Sequence, residues 1–166
     1  MKRYLIIMRH AKTEVAAPQQ RDFDRSLMPR GTVDARTMAE RLKLLGLQID
    51  CIIASNAQRT QQTAHIIAES IAYPKDNIIP APRLYLCSAN EIENEVLALS
   101  DDIQTAMIIG HNPGVSEFIF EIDQKILSTE IATAGLVVFS MSCTHWSDFT
   151  NAKKKLELYD YPKKSI

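Results

Sequence analysis

The sequence predicts an α/β protein: a three-layer sandwich with a mainly parallel central sheet and helices on both faces. Three observations lead there. Short β-branched runs recur along the chain, helical periodicities fill the intervals between them, and turn residues bound both. The runs are continuously apolar rather than alternating, as expected for strands covered on both sides.

The first strand is "YLIIM" at 4–8. Ala35, Met38, Ala39, Leu42 and Leu45 then recur at 3-1-3-3 spacing, a helical stripe that Gly46 closes as its C-cap. "CIIAS" at 51–55 is the second strand. Thr60, Thr63, Ala64, Ile67, Ala68 and Ile71 form the next amphipathic stripe, stopped by Pro74. Ile92, Val96 and Leu99 mark a third helix, "TAMIIG" at 105–110 a third strand, and Val115, Phe118, Ile119 and Ile122 a fourth helix. "GLVVFSM" at 135–141 and "KLELYDY" at 155–161 read as two further strands toward a sheet edge. With no repeat, linker or low-complexity tract, residues 1–166 are expected to form one domain.

A net charge of −1 gives no electrostatic footprint for nucleic acid or an anionic membrane. No apolar run approaches the ~20 residues of a membrane-spanning helix, and the first residues lack the core and cleavage site of a signal peptide. Cys51, Cys87 and Cys143 are scattered without metal-site spacing and fit free thiols in a reducing compartment. The expectation is a cytoplasmic protein, monomeric at this compact size.

Chemistry gathers at the strand ends, where ligands of such sheets bind. The first strand ends in Arg9-His10. The second ends in "SNAQRTQQT", where Ser55 reads as an N-cap, Gln58 completes a capping box and Arg59 falls in the first helical turn. The third ends in "GHNPG", with His111 first, Asn112 able to cap and Pro113 suited to the first helical position. Two arginines, two histidines and two helix N-termini at one edge describe a pocket for a dianion, most naturally a phosphoryl group. Imidazole can also attack phosphorus.

In this order and at these separations, "RHAKTE" (9–14), "RSLMPRG" (25–31), "SNAQRTQQT" (55–63) and "IIGHNPGVSEF" (108–118) resemble the histidine phosphatase superfamily. That group includes the cofactor-dependent phosphoglycerate mutases. The compact length and the ending "W…LELYDYPK" (146–163) are closest to the SixA-type phosphohistidine phosphatases. The resemblance implies that His10 is the nucleophile and that Arg9, Arg59 and His111 join it in catalysis and hold the phosphate. Thr13 takes the place of a Ser or Thr that often touches phosphate, and Asn112 is a further candidate for substrate binding. Three positions depart from the pattern. Ala11 replaces a glycine, Asn56 a proline, and Met28 a threonine cap, the last at a cost on the order of 1 kcal/mol.

The mechanism implied needs neither metal nor cofactor. Flanking arginines favour the neutral form of His10, which attacks phosphorus while Arg9, Arg59 and His111 hold the equatorial oxygens. What the sequence lacks is an acid. In mutase-like relatives a glutamate protonates the departing alkoxide. The equivalent place falls on Leu86 or its neighbours, and Tyr85, Leu86 and Cys87 include no carboxylate. Glu91 is the nearest substitute. A phosphorylated histidine can carry its own proton on the other ring nitrogen and leave neutral, so a site without an acid suits N–P bonds. The expected substrate is therefore a phosphohistidine-bearing protein. The alternatives are a phosphatase for small organic or aryl phosphates, for which Glu91 would serve as acid, and a non-catalytic phosphoprotein binder. An intact His10 argues against the last.

Other polar residues read as structural. His65 and His145 sit away from strand ends, and "KKK" at 153–155 reads as a solvated turn. Arg25, directly after the two aspartates of "DFDRS" (22–26), is a second-tier candidate for the pocket mouth.

Overall fold

The computed structural model describes residues 1–165. A six-stranded sheet of order β3-β2-β4-β1-β5-β6 runs through its centre. Strands β1 (Lys2–Arg9), β2 (Cys51–Ser55), β3 (Ile79–Ala81) and β4 (Thr105–Gly110) are mutually parallel. Strands β5 (Leu136–Ser142) and β6 (Lys154–Asp160) close one side antiparallel. The helices are α1 (Pro29–Lys43), α2 (Gln58–Ser70), α3 (Ala89–Leu97) and α4 (Gly114–Ile122).

The strand side chains alternate between two cores, because successive residues of a strand face opposite sides. Ile6, Met8, Ile52, Ala54, Met107 and Ile109 meet Ala35, Met38 and Leu42 of α1 and Ala64 and Ile67 of α2. Leu5, Ile7, Ile53 and Ile108 meet Ile92 and Val96 of α3 and Val115, Phe118 and Ile119 of α4, with Trp146 and Phe149 beneath. Both faces are therefore covered, which accounts for the unbroken apolar runs and establishes the three-layer α/β sandwich.

Local details correct three sequence-based expectations. Helix α2 begins at Gln58 with Ala57 as its N-cap, so Ser55 and Gln58 form no capping box. Gln58 instead donates from Nε2 to Ser26 Oγ at 2.6 Å, across to the loop before α1. Pro113 precedes the first residue of α4, and Asn112 does not cap it. Strand β3 is not in the expected set. It is three residues long, carries Pro80 and lies at the sheet edge, where a missing N–H costs no ladder bond. A further correction is at Gly46: Leu44 is the C-cap of α1, and Gly46 takes φ +64° in the turn beyond it. Met28 stands as expected as an N-cap without a side-chain bond. No helix among the described residues is long and apolar enough to cross a membrane.

Two glycines bring helices against the loops at the sheet's carboxyl edge. A Cβ on Gly31 of α1 would lie 2.0 Å from the Lys12 carbonyl oxygen, and one on Gly114 of α4 would lie 2.1 Å from that of Cys87. Only hydrogen fits at either place.

Candidate active site

Strand β4 lies between β1 and β2, so the residues following these three strands are neighbours at one edge. His10 follows β1 directly. Its backbone N–H donates to Gly110 O at 3.1 Å, and its own carbonyl accepts from Ala134 N at 3.1 Å. The next residue, Ala11, is fully buried and donates to Thr63 Oγ1 of α2 at 3.0 Å. Thr63 passes its own hydroxyl proton to the Arg59 carbonyl at 2.7 Å. The turn carrying His10 is thus fastened to the helix carrying Arg59.

The structure brings the two imidazoles together: the His10 and His111 ring centroids are 5.2 Å apart. His10 is 9% exposed, Arg59 3% and His111 1%. Burial pushes the His10 pKa down to about 4, aided by the charges of Arg59, Arg9 and Arg25 and opposed by a hydrogen bond to Ala11. Burial, His10 and Arg59 likewise hold His111 at about 3. Both rings are neutral at physiological pH.

Hydrogen bonds fix how each neutral ring carries its proton. His10 Nδ1 is 2.7 Å from the Ala11 carbonyl, which can only accept, so Nδ1 bears the proton and Nε2 holds the free lone pair. His111 Nε2 is 2.8 Å from Ser55 Oγ. Ser55 Oγ accepts from Ala57 N at 3.3 Å, and since no other acceptor among the described residues takes the proton of this buried hydroxyl, it donates to Nε2. His111 Nδ1 then carries a hydrogen, and this buried atom has no partner among the described residues. Arg9 Nε and Arg59 Nε are buried and unpartnered in the same way. Buried orphan donors are rare and costly, and three of them belonging to this cluster call for an acceptor from outside.

Other guanidinium atoms of the cluster are tethered. Arg9 Nη1 donates to Ile131 O at 2.8 Å and lies 4.0 Å from Glu130 Oε2. Arg59 donates from Nη1 to Asp22 O at 2.7 Å and from Nη2 to Asp22 Oδ2 at 2.9 Å. Arg25 reaches Asp22 Oδ1 at 3.0 Å and Thr13 Oγ1 at 2.7 Å. Thr13 is therefore engaged by Arg25. Asn112 donates from Nδ2 toward Glu130 Oε2 at 3.3 Å and Ile131 O at 3.4 Å, and its Oδ1 accepts from Ser116 Oγ at 2.9 Å. It braces the loop that tethers Arg9.

Sequence reasoning missed Asp22 and Tyr85. Asp22 Oδ2 also accepts from the Tyr85 hydroxyl at 2.8 Å, and Tyr85 packs edge-on to His111 with centroids 5.4 Å apart. Partial burial would raise the Asp22 pKa, but hydrogen bonds from Tyr85, Arg25 and Arg59 outweigh it and hold the carboxyl at about 2. At neutral pH it is a carboxylate that clamps cations. Glu91 is committed elsewhere. Its Oε2 accepts from Ser88 N at 2.8 Å in the capping box of α3, and that bond with the Ser88 hydroxyl lowers its pKa. Leu86, one of the positions expected to correspond to the family acid, has φ +49° and is 53% exposed.

Comparison with known proteins identifies the family and the fold. The family model described as "Histidine phosphatase superfamily (branch 1)" matches residues 5–94. An uncharacterised chloroplastic protein of Arabidopsis thaliana is 31% identical over 70% of the chain, which spans 57% of that protein's length. Among solved structures, the protein named SixA from Nakamurella multipartitia is 27% identical, with a TM-score of 0.83 over 99% of this chain and 98% of that one. A protein histidine phosphatase SixA complexed with tungstate shares the fold, with a TM-score of 0.79 over 96% of this chain and 97% of that one at 20% identity.

Proposed function

Because the chain belongs to branch 1 of the histidine phosphatase superfamily and is a phosphatase, we propose that it removes the phosphoryl group from phosphohistidine on proteins through a phosphohistidine of its own. The observation that carries this reading is a complete nucleophile-and-donor cluster without a proton-loaded carboxyl among its contacts. Asp22 is held ionised, and Glu91 caps a helix.

The chemistry follows from the two ring tautomers. His10 Nε2 attacks phosphorus in line, and the bond from phosphorus to the substrate nitrogen breaks. Its electron pair stays on the substrate ring, which leaves neutral when its other nitrogen already bears a proton. Arg9, Arg59 and His111 Nδ1–H supply donors for the equatorial oxygens, where charge collects. The second step uses the same logic. With the phosphoryl group on Nε2, the Ala11 carbonyl keeps a proton on Nδ1 of His10. When water attacks phosphorus, His10 therefore leaves as neutral imidazole, and no separate acid is required in either half of the cycle.

The SixA of Nakamurella multipartitia is named as a phosphohistidine phosphatase, and its full-length similarity supports the same substrate class here. The test compares turnover of a phosphohistidine protein, an aryl phosphate and an alkyl phosphate by wild type and Glu91→Gln. The expected order is phosphohistidine first, aryl phosphate next and alkyl phosphate far behind, with no change in Glu91→Gln. Rapid alkyl-ester hydrolysis that disappears in Glu91→Gln would overturn the substrate assignment.

A further inference from the structure

A groove of about 450 Å³ runs along α4 beside the site. It is lined by Leu127, which is buried, and by Phe120, which is 47% exposed although it is a large apolar side chain. Glu117, Glu121 and Glu130 also line it, and no lysine or arginine does. Another lining residue, Pro113, stands two residues after His111. The Glu130 carboxylate is 4.0 Å from Arg9 Nη1, and the next residue, Ile131, accepts the Arg9 hydrogen bond. The groove and the anion pocket therefore share a loop, and an acidic, apolar trough opens beside a cationic pocket.

We propose that this groove docks the protein substrate, and that it takes a segment presenting lysine or arginine together with aliphatic side chains next to the phosphorylated histidine. The inference rests on the phosphohistidine-protein reading above and deepens it. Charge complementarity selects the occupant. Three carboxylates around an exposed aromatic favour an amphipathic segment whose stems cover Phe120 while their cationic heads meet the rim. The lysine-rich groove of Lys2, Lys153, Lys154 and Lys155 is a poorer candidate, because Lys2 begins β1 and lies at the end opposite His10. A small phosphate ester fills only the anion pocket and gains nothing from the trough.

Two synthetic peptides phosphorylated on histidine with phosphoramidate provide the test, one flanked by Lys and Leu and the other with Glu in place of each Lys. Both are assayed with wild type, the double variant Glu117→Lys/Glu121→Lys and Phe120→Ser, with an aryl phosphate as reference. Wild type is expected to prefer the basic peptide about tenfold in kcat/KM, with a preference that shrinks as salt is added. The double variant should abolish or reverse it. Phe120→Ser should raise KM for the basic peptide several-fold, roughly the loss of one buried apolar contact. Unchanged aryl phosphate turnover in all three proteins shows that the fold and the anion pocket are intact. Equal turnover of the two peptides by wild type, or a preference surviving charge reversal, overturns the docking proposal while leaving the phosphohistidine reading in place. Aryl phosphate turnover with neither peptide hydrolysed sinks that reading, and the docking site falls with it. A dimer in sedimentation that Phe120→Ser disperses assigns the groove to a second copy of the chain and also overturns the proposal.

Discussion

Ser55 Oγ lies 2.8 Å from His111 Nε2, at the point where β2 ends and β4 delivers its histidine. Ser55 is fully buried. By donating to Nε2 it leaves the only hydrogen of a neutral ring on Nδ1, the atom without a partner among the described residues. Ser55→Ala removes that bias, and a ring free to change tautomer or tilt no longer holds a donor toward the phosphate. The expected result is a fall in kcat of about tenfold, the worth of roughly one hydrogen bond, with KM little changed. Ser55→Thr keeps the hydroxyl and should recover most of the loss. Steady-state kinetics of the two variants measures it.

The two site histidines should behave unlike ordinary ones in a titration. Proton NMR of the imidazole resonances should show His10 unprotonated until the pH nears about 4 and His111 until about 3. His145, whose pKa is raised by its hydrogen bond to Asp101, provides a contrast in the same spectra. The sign for stability follows. The folded pKa values lie below the unfolded value near 6.5, so the unfolded chain takes up protons first as the pH falls. Stability is present above about 6.5 and is lost as the pH drops from there through about 4 and about 3. Urea midpoints measured between neutral pH and about 4 should decline accordingly.

Asp22 gathers Arg59, Arg25 and Tyr85 on one carboxylate. Its removal frees two guanidinium groups and an aromatic wall at once. Asp22→Ala should raise KM for any phosphorylated substrate by about three- to tenfold, consistent with the loss of partly exposed charge pairs worth under ~1 kcal/mol each. Asp22→Asn, which keeps one acceptor oxygen, should fall between. A KM unchanged in Asp22→Ala would show that Arg59 is held well enough by the other contacts.

Gly31→Ala probes the seat of the catalytic turn. The added methyl would meet the Lys12 carbonyl at 2.0 Å, so either α1 or the turn after His10 must shift. Overpacking of this kind costs about 1–3 kcal/mol, and the melting temperature should drop accordingly. Activity should fall with it, because Lys12 is two residues from His10 and its carbonyl also accepts from Met28 N. Full activity with a lowered melting temperature would mean that α1 alone gives way.

Much of this was legible in sequence because strands covered on both faces must be apolar throughout. That rule marks β1, β2 and β4 and so places Arg9, Ser55 and His111 at one edge. The edge strand β3 escaped because it is short, holds Pro80, and has two of its three residues exposed. Asp22 and Tyr85 escaped for another reason. They lie in irregular connecting segments, Asp22 at the start of a single 3-10 turn, 63 positions apart, and no periodicity records that their side chains meet. The pair of aspartates just before Arg25 was the available signal for Asp22, but it pointed to the arginine. Ser55 shows how local chemistry misleads. Its place before a helix and three residues ahead of Gln58 fits a capping box, yet the hydroxyl turns inward to a histidine 56 residues away.

Identification of the phosphorylated atom in the enzyme tests the account most directly. Wild type would be mixed with a radiolabelled phosphohistidine protein, quenched in alkali within a turnover and digested, and the labelled residue located. The account predicts label on Nε2 of His10, none in His10→Ala, and stronger accumulation when breakdown is slowed. Turnover with no labelled enzyme, or label on Nδ1 of His10 or on another residue, contradicts it.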